Sequence, residues 1–197
     1  MEKLNYAFAS GYPMNWGVKV ELANNYKSLG VFMSAHELLK LIGYTEESLR
    51  CLFMAGRHGQ AIEMAEEYIK GNEIKDYNML CLMGEMKNDH TYFEKADEIS
   101  NGKCSKALRM LGRHYFFKND FEKSTEYYGR ALKINKLYPD IWYAKGCAHM
   151  RMNDFKNAIF SLSQVISIDM RHVEAWANIA SCYIMTKKYF EAVTCCE

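Results

Sequence analysis

Leu108-Arg-Met-Leu111-Gly112-Arg-His-Tyr115, Trp142-Tyr-Ala-Lys145-Gly146-Cys-Ala-His149 and Trp176-Ala-Asn-Ile179-Ala180-Ser-Cys-Tyr183 are three versions of one stretch. Gly112, Gly146 and Ala180 follow one another at a constant interval. Phe121, Phe155 and Tyr189 keep the same interval, as do Ser124, Ala158 and Ala192. A fixed period of about 34 residues marks a stack of helical hairpins, each too small to bury its apolar face alone.

The spacing W-x2-L-G-x2-Y followed by A-x3-F resembles the tetratricopeptide repeat. It implies an all-α, right-handed TPR-like α-solenoid of about six helix-turn-helix hairpins. Moving outward from the regular repeats, a pair of positions with one fixed, shorter separation recurs along the chain: Ala23/Ala35, Leu49/Ala61, Gly84/Ala96, Gly112/Ser124, Gly146/Ala158 and Ala180/Ala192. Mostly small residues at both positions let the two helices of a hairpin approach closely, so that separation is constant. Between hairpins the step varies: Ala23 to Leu49 and Gly84 to Gly112 fall short of the regular period, and Leu49 to Gly84 slightly exceeds it. A shortened second helix and loop in the first and third hairpins accounts for the two short steps. In the third, Ile99-Ser100-Asn101-Gly102 ends the second helix about a turn and a half early.

Three segments follow. Residues 1–13 form a lead-in whose Tyr6, Phe8 and Tyr12 cover the first hairpin. Residues 14–104 hold three irregular hairpins, and 105–197 two regular repeats and a truncated third, all in a single continuous solenoid. The first helix carries Val18, Leu22, Ala23 and Tyr26 at helical spacing and breaks at Gly30. The second carries Phe32, Ala35, Leu38, Leu39 and Ile42 and ends at Gly43. Thr45, before Glu46 and Glu47, is the expected N-cap of the third, and Asp120 and Asp154 cap the helices beginning at Phe121 and Phe155. Pro139 suits the start of a helix. Trp142 and Trp176 are assigned to packing between helices, not to ligand contact. The chain stops at Cys195-Cys196-Glu197 without a polar capping unit, which suggests a fragment of a longer solenoid.

Composition narrows the chemistry. The chain has 197 residues, of which 49% are hydrophobic and 25% charged, with a formal net charge of +1. Nothing global draws it to nucleic acid or an acidic membrane, and no apolar run approaches the ~18 residues of a membrane span. The seven cysteines include no C-x2-C pair and read as reduced thiols packed as small hydrophobes in a cytoplasmic or nuclear protein. The six histidines form no metal-binding spacing; Cys147 and His149 point to different sides of one helix. Gly56-Arg-His-Gly59 reads as a turn between helices, with a phosphate loop as the weaker alternative. No nucleophile elbow, P-loop or dinucleotide fingerprint is present. No catalytic, cofactor or metal site is assigned.

The irregular spacing carries a second resemblance. Asn15-Trp16…Glu21-Leu22-Ala23, Ala55-Gly-Arg-His-Gly-Gln-Ala61, Leu80-Cys-Leu-Met-Gly84…Tyr92-Phe-Glu-Lys-Ala96, Phe121-Glu-Lys123…Ala131-Leu-Lys-Ile-Asn135 and Glu174-Ala-Trp-Ala-Asn178 occur in that order. In this arrangement the chain is similar to the central-to-C-terminal region of the eukaryotic tetratricopeptide-repeat protein 27 family. The resemblance implies a larger, non-enzymatic assembly factor linked to maturation of the U5 spliceosomal particle and its GTPase. It transfers no functional residues.

What remains is surface. In stacked hairpins the first helices line a concave groove that can hold a helix or extended peptide of another protein. Repeat positions 2, 5, 9 and 12 place Lys106, Arg109, Arg113 and Phe116 there, then Asp140, Tyr143, Cys147 and Met150, then Glu174, Ala177, Ser181 and Ile184. Asn178 sits beside them. Lys106, Arg109 and Arg113 form a basic stripe able to dock an acidic peptide. The bland alternative is a solvated face partly neutralised by Asp140 and Glu174. A co-chaperone clamp for Hsp70 or Hsp90 C-terminal tails is disfavoured. Its five places are held by Arg109, Arg113, Ala144, Glu174 and Asn178, and Glu174 would repel a carboxylate. A helical-repeat RNA binder is the rival from another class, opposed by the neutral composition.

Overall fold

The computed structural model describes residues 15–71 and 76–195, so the proposed lead-in at 1–13 lies outside the described residues. Twelve α-helices are present among them: α1 (Asn15–Ser28), α2 (Phe32–Leu41), α3 (Thr45–Met54), α4 (His58–Gly71), α5 (Tyr77–Lys87), α6 (Thr91–Ile99), α7 (Ser105–Phe117), α8 (Phe121–Ile134), α9 (Pro139–Arg151), α10 (Phe155–Ile168), α11 (Val173–Met185) and α12 (Tyr189–Thr194). They fall into two compact units divided between Asn88 and Asp89.

In the first unit α1 packs on α2, α2 on α3, and α3 on α4, while α5 packs on both α3 and α4. Ala23, Ala35, Leu39 and Cys51 form a buried cluster flanked by Tyr26, Leu38 and Ile42. The expected stripe on α1 is only half right. Ala23 and Tyr26 face α2, but Val18 and Leu22 are 48% and 39% exposed, since they lie one position round the helix from the contact. Helix α5 is buried from Met79 through Gly84 and again at Met86. Its flank is clipped by charge: Arg50 on α3 reaches Glu85 and Glu46, each at 3.1 Å, and Lys87 pairs with Glu66 on α4. Between α2 and α3, Ser48 Oγ donates to the His36 carbonyl at 3.3 Å, and the imidazole Nδ1 lies 2.9 Å from the Ser48 carbonyl. This buried polar knot leaves no sequence signature.

The second unit repeats its contacts at the sequence period. Its neighbours in chain order pack pairwise from α7 to α12, with α6 against α7. Leu108, Tyr128, Ala131, Leu132 and Ile141 form one core cluster, and Leu162, Val165, Ala175 and Ile179 another. Trp142 packs against both. The close approach within hairpins is explicit. A methyl group added at Gly112 would sit 2.6 Å from the Tyr128 ring, and one at Gly146 2.8 Å from Leu162. Ser124 Oγ donates to the Gly112 carbonyl at 2.8 Å, so even the polar member of the pair holds the two helices together. Burial pushes the Tyr128 phenol up to about 12, and it stays neutral in this core.

Capping follows the repeat. Asp120 accepts from the Lys123 amide and Asp154 from the Asn157 amide, as the sequence predicts. Pro139 opens α9. Thr45 is not a cap: it is the first residue of α3, and Tyr44 stands at the cap with no side-chain bond. Two further sets recur at the repeat period. Trp142 Nε1 donates to the Lys136 carbonyl at 2.9 Å and Trp176 Nε1 to the Met170 carbonyl at 3.1 Å. Asn135 accepts from the Leu137 amide and Asp169 from the Arg171 amide, shaping the same loop. Gly30, Gly56, Asn119, Asn153 and Lys187 all take positive φ. Each stands at the same place after the first member of its hairpin's small-residue pair, where the chain must turn sharply. Asn tolerates that conformation; Lys187 holds it at a cost of about 1 kcal/mol. In the Gly56-x-x-Gly59 stretch, Gly56 makes this turn and His58 begins α4.

The irregular steps have two different origins. Helix α6 ends at Ile99, soon after Ala96, whereas α8 runs on from Ser124 to Ile134, so about two turns are missing. That is somewhat more than the turn and a half expected. In the short step from Ala23 to Leu49, α2 loses only about one turn. Most of the remainder comes from the start of α3, which leads up to Leu49 from Thr45, where α7 leads up to Gly112 from Ser105.

Replacing Gly112 with Ala is expected to destabilise the protein by about 1–3 kcal/mol, read from urea denaturation, because the Tyr128 ring has no room to retreat. Truncating Trp142 to Ala should cost about 3 kcal/mol in the same assay, through loss of packing on both clusters and of the loop bond to Lys136. A loss below about 1 kcal/mol would place the indole outside the core.

Candidate partner-binding face

Helix α7 exists because Ala107, Leu108, Leu111 and Gly112 bury one side of it, and because Cys104 Sγ accepts from the Ala107 amide at its start. The other side therefore carries Lys106, Arg109, Arg113 and Phe116, at spacings of three and four that keep them on one face. The Arg109 guanidinium lies 4.9 Å from the centre of the Tyr138 ring, just ahead of α9. Arg113 lies 5.6 Å from that of Phe117, which is 71% exposed. Phe116 packs edge-on against Phe117 and Phe121. Among the described residues neither arginine forms an ion pair, and Arg109 Nε is buried without an acceptor. The expected neutralisation by Asp140 and Glu174 is thus absent as direct contacts. Glu174 instead lies 3.3 Å from His172 Nδ1.

The neighbouring candidates are engaged with one another. Asn178 Nδ2 on α11 donates to Tyr143 OH on α9 at 3.0 Å, with Cys147 Sγ at 3.9 Å. The His172 ring sits 5.0 Å from the Tyr143 ring, and its Nδ1 accepts from the Ala175 amide, capping α11. Burial pushes the Tyr143 phenol and the Cys147 thiol up. Met150, expected in the groove, is half-buried against the Leu162 cluster because it falls where α9 meets α10 and α11. Ser181 donates to the carbonyl of Ala177 on its own helix. Asp140 and Glu174 are exposed, and Lys106 is half-buried. His149 lies 3.2 Å from Asp154 and does not meet Cys147's partners.

Tyr138, Phe117 and His172 belong to this face but not to repeat positions 2, 5, 9 and 12: Phe117 is the last residue of α7, and Tyr138 and His172 cap the starts of α9 and α11. Tyr138 and His172 stand one repeat apart, each immediately before a helix start, which is the signal that could have found them. A cleft of about 440 Å³ at one hairpin turn is lined by Lys118, Asn119, Asp120, Phe121, Glu122 and Met152. Among the described residues no group of three or more His, Cys, Asp or Glu side chains could hold a metal ion, and no helix is long and apolar enough to cross a membrane.

A family model for the tetratricopeptide repeat matches residues 105–136 and 139–170. Residues 105–170 of the chain are similar to the tetratricopeptide repeat. The tetratricopeptide repeat protein 27 homolog of Dictyostelium discoideum is 28% identical to it over 151 residues, covering 77% of this chain and 18% of the relative. The "Essential for maintenance of the cell wall protein 1" of Saccharomyces cerevisiae is 28% identical over 200 residues, covering 98% of this chain and 22% of that protein. The chain spans about a fifth of the length of the curated relatives it matches. A crystal structure of MamA superposes with a TM-score of 0.62 at 21% identity, over 73% of this chain and 87% of that one. The fold is accordingly all-α, of the tetratricopeptide-like α-solenoid class. The chain resembles the tetratricopeptide-repeat protein 27 relatives, and repeats of this kind are scaffolds for protein–protein interaction.

The thiols offer a check on this packing. Burial, with Cys147 nearby, pushes the Cys182 thiol up to about 11. At pH 8 native protein should alkylate at Cys182 about ten-fold or more slowly than protein unfolded in urea, followed by mass spectrometry, because the reactive thiolate is suppressed.

Proposed function

We propose that this chain is the binding portion of a non-enzymatic assembly or chaperone-adaptor factor, acting in the cytoplasm, the nucleus or both. It would hold other proteins on the face formed by α7, α9 and α11. The observation that carries this reading is the pair of arginines on α7, oriented by aromatic rings and without a carboxylate of the described chain. The family resemblance supports a place in maturation of the U5 spliceosomal particle. Direct binding of Hsp70 or Hsp90 tails stays disfavoured, because Glu174 stands where a cation would be needed and Asn178 is already bonded to Tyr143.

Affinity capture with the wild-type protein and an Arg109→Glu/Arg113→Glu variant, followed by mass spectrometry, tests the reading. U5 particle proteins should be enriched by the wild type and lost with the variant. A filter-binding titration separates the RNA-binding alternative: nanomolar affinity falling steeply with salt would overturn the scaffold reading.

A further inference from the structure

We propose, going beyond the scaffold reading, that Lys145 is an acylation site whose side-chain amine takes a short acyl group from a thioester. Leu111, Lys145 and Ile179 occupy one place in successive repeats, directly before the small residue that lets the two helices of a hairpin approach. Leu111 and Ile179 are buried there. Lys145 holds the same place half-buried, and an ammonium there loses hydration that a leucine never had. Its amine reaches across to α8: a methyl group added at Gly129 would sit 3.7 Å from Nζ. Nζ also lies 5.6 Å from the centre of the Trp142 ring. The amine thus stands between an indole and a glycine with no side chain to cover it. Gly129 and Lys145 both keep partial exposure, so a small reagent can approach.

The surrounding charges favour the neutral amine. Among the described residues no carboxylate forms an ion pair with Lys145, and Lys133 on α8 faces it with a second positive charge. His149 is one turn further along α9, and burial pushes its imidazole down, toward the neutral form. Asp154, the cap of α10, is engaged by His149 Nδ1 at 3.2 Å and by the Asn157 amide. The indole offsets little, because its distance is close to the outer limit of a cation–π contact. Burial first and Lys133 second push the Lys145 ammonium down. A lysine desolvated beside another cation is an activated nucleophile. The neutral Nζ attacks the thioester carbonyl carbon; a C–N bond forms, the C–S bond breaks, and the proton lost by nitrogen leaves with the thiolate as a thiol. The product amide is uncharged, as are the side chains at this place in the neighbouring repeats.

Incubation of the purified chain with acetyl-CoA at pH 8, with each lysine followed by peptide mass spectrometry, tests the proposal. Lys145 should acetylate at least about three-fold faster than Lys156, an exposed lysine on α10, and reach its half-maximal rate at a lower pH. Both differences should vanish in urea, where the two amines have like surroundings. Gly129→Leu, with folding checked by circular dichroism, should slow Lys145 about three-fold or more by covering the amine, and leave Lys156 unchanged. Lys145 reacting no faster than Lys156, a preference that persists in urea, or a Lys145 rate undiminished by Gly129→Leu overturns the proposal. None of these outcomes bears on the scaffold reading, which the capture experiment tests separately.

Discussion

The contact on which the second unit depends is a missing side chain. Gly112 and Gly146 let Tyr128 and Leu162 of the following helices come within a distance that a methyl group would block. Ser124 and Ala158, on those same following helices, complete the approach, and the serine adds a bond to the Gly112 carbonyl. Backbones held this close leave no slack in the turn between them. That explains why the Gly112/Ser124 and Gly146/Ala158 separations are the same. It also explains why the turn residue, whether Gly56, Asn119 or Lys187, takes positive φ whatever its identity.

What could be read from the residues follows from this constraint. Hairpins, the two capping aspartates and the helix-starting proline are all local consequences of the period. The misreadings come where a neighbour outside the repeat decides. Val18 and Leu22 fit a helical stripe, but α1 meets α2 through the adjacent stripe of Ala23 and Tyr26. Thr45 looks like a cap by type, yet the chain enters the helix one residue earlier. Shortening of α3 at its start is invisible because its first turn is simply absent, and no residue marks a missing turn. On the candidate face, helical position correctly grouped Arg109, Arg113 and Phe116. It could not show that Tyr143 and Asn178 satisfy each other, since they lie far apart in sequence and on different helices.

The face is accordingly uneven. Its α9–α11 side is internally bonded and edged by acids, and its α7 side carries cations resting on rings. A partially covered guanidinium loses less hydration on binding than a free one, and its fixed plane favours two-pronged contact with a carboxylate. Charge on this face is local, set against a chain whose formal net charge is only +1. Attraction therefore acts over about a Debye length, on the order of 8 Å at physiological salt, and selects where a partner lands more than how fast it arrives.

Helix α5 has its own consequence. Its buried side chains include Met79, Cys81, Met83 and Met86, so much of the lining there is sulfur. Thioethers fill irregular gaps well, which suits a helix packed on two others at once. The same atoms are the ones an oxidant converts to polar sulfoxides, which the interior cannot solvate. Oxidised while α5 was out of its seat, these side chains would be too polar to pack back into it. Sulfoxide at Met79, Met83 and Met86 would then mark an opening of the first unit.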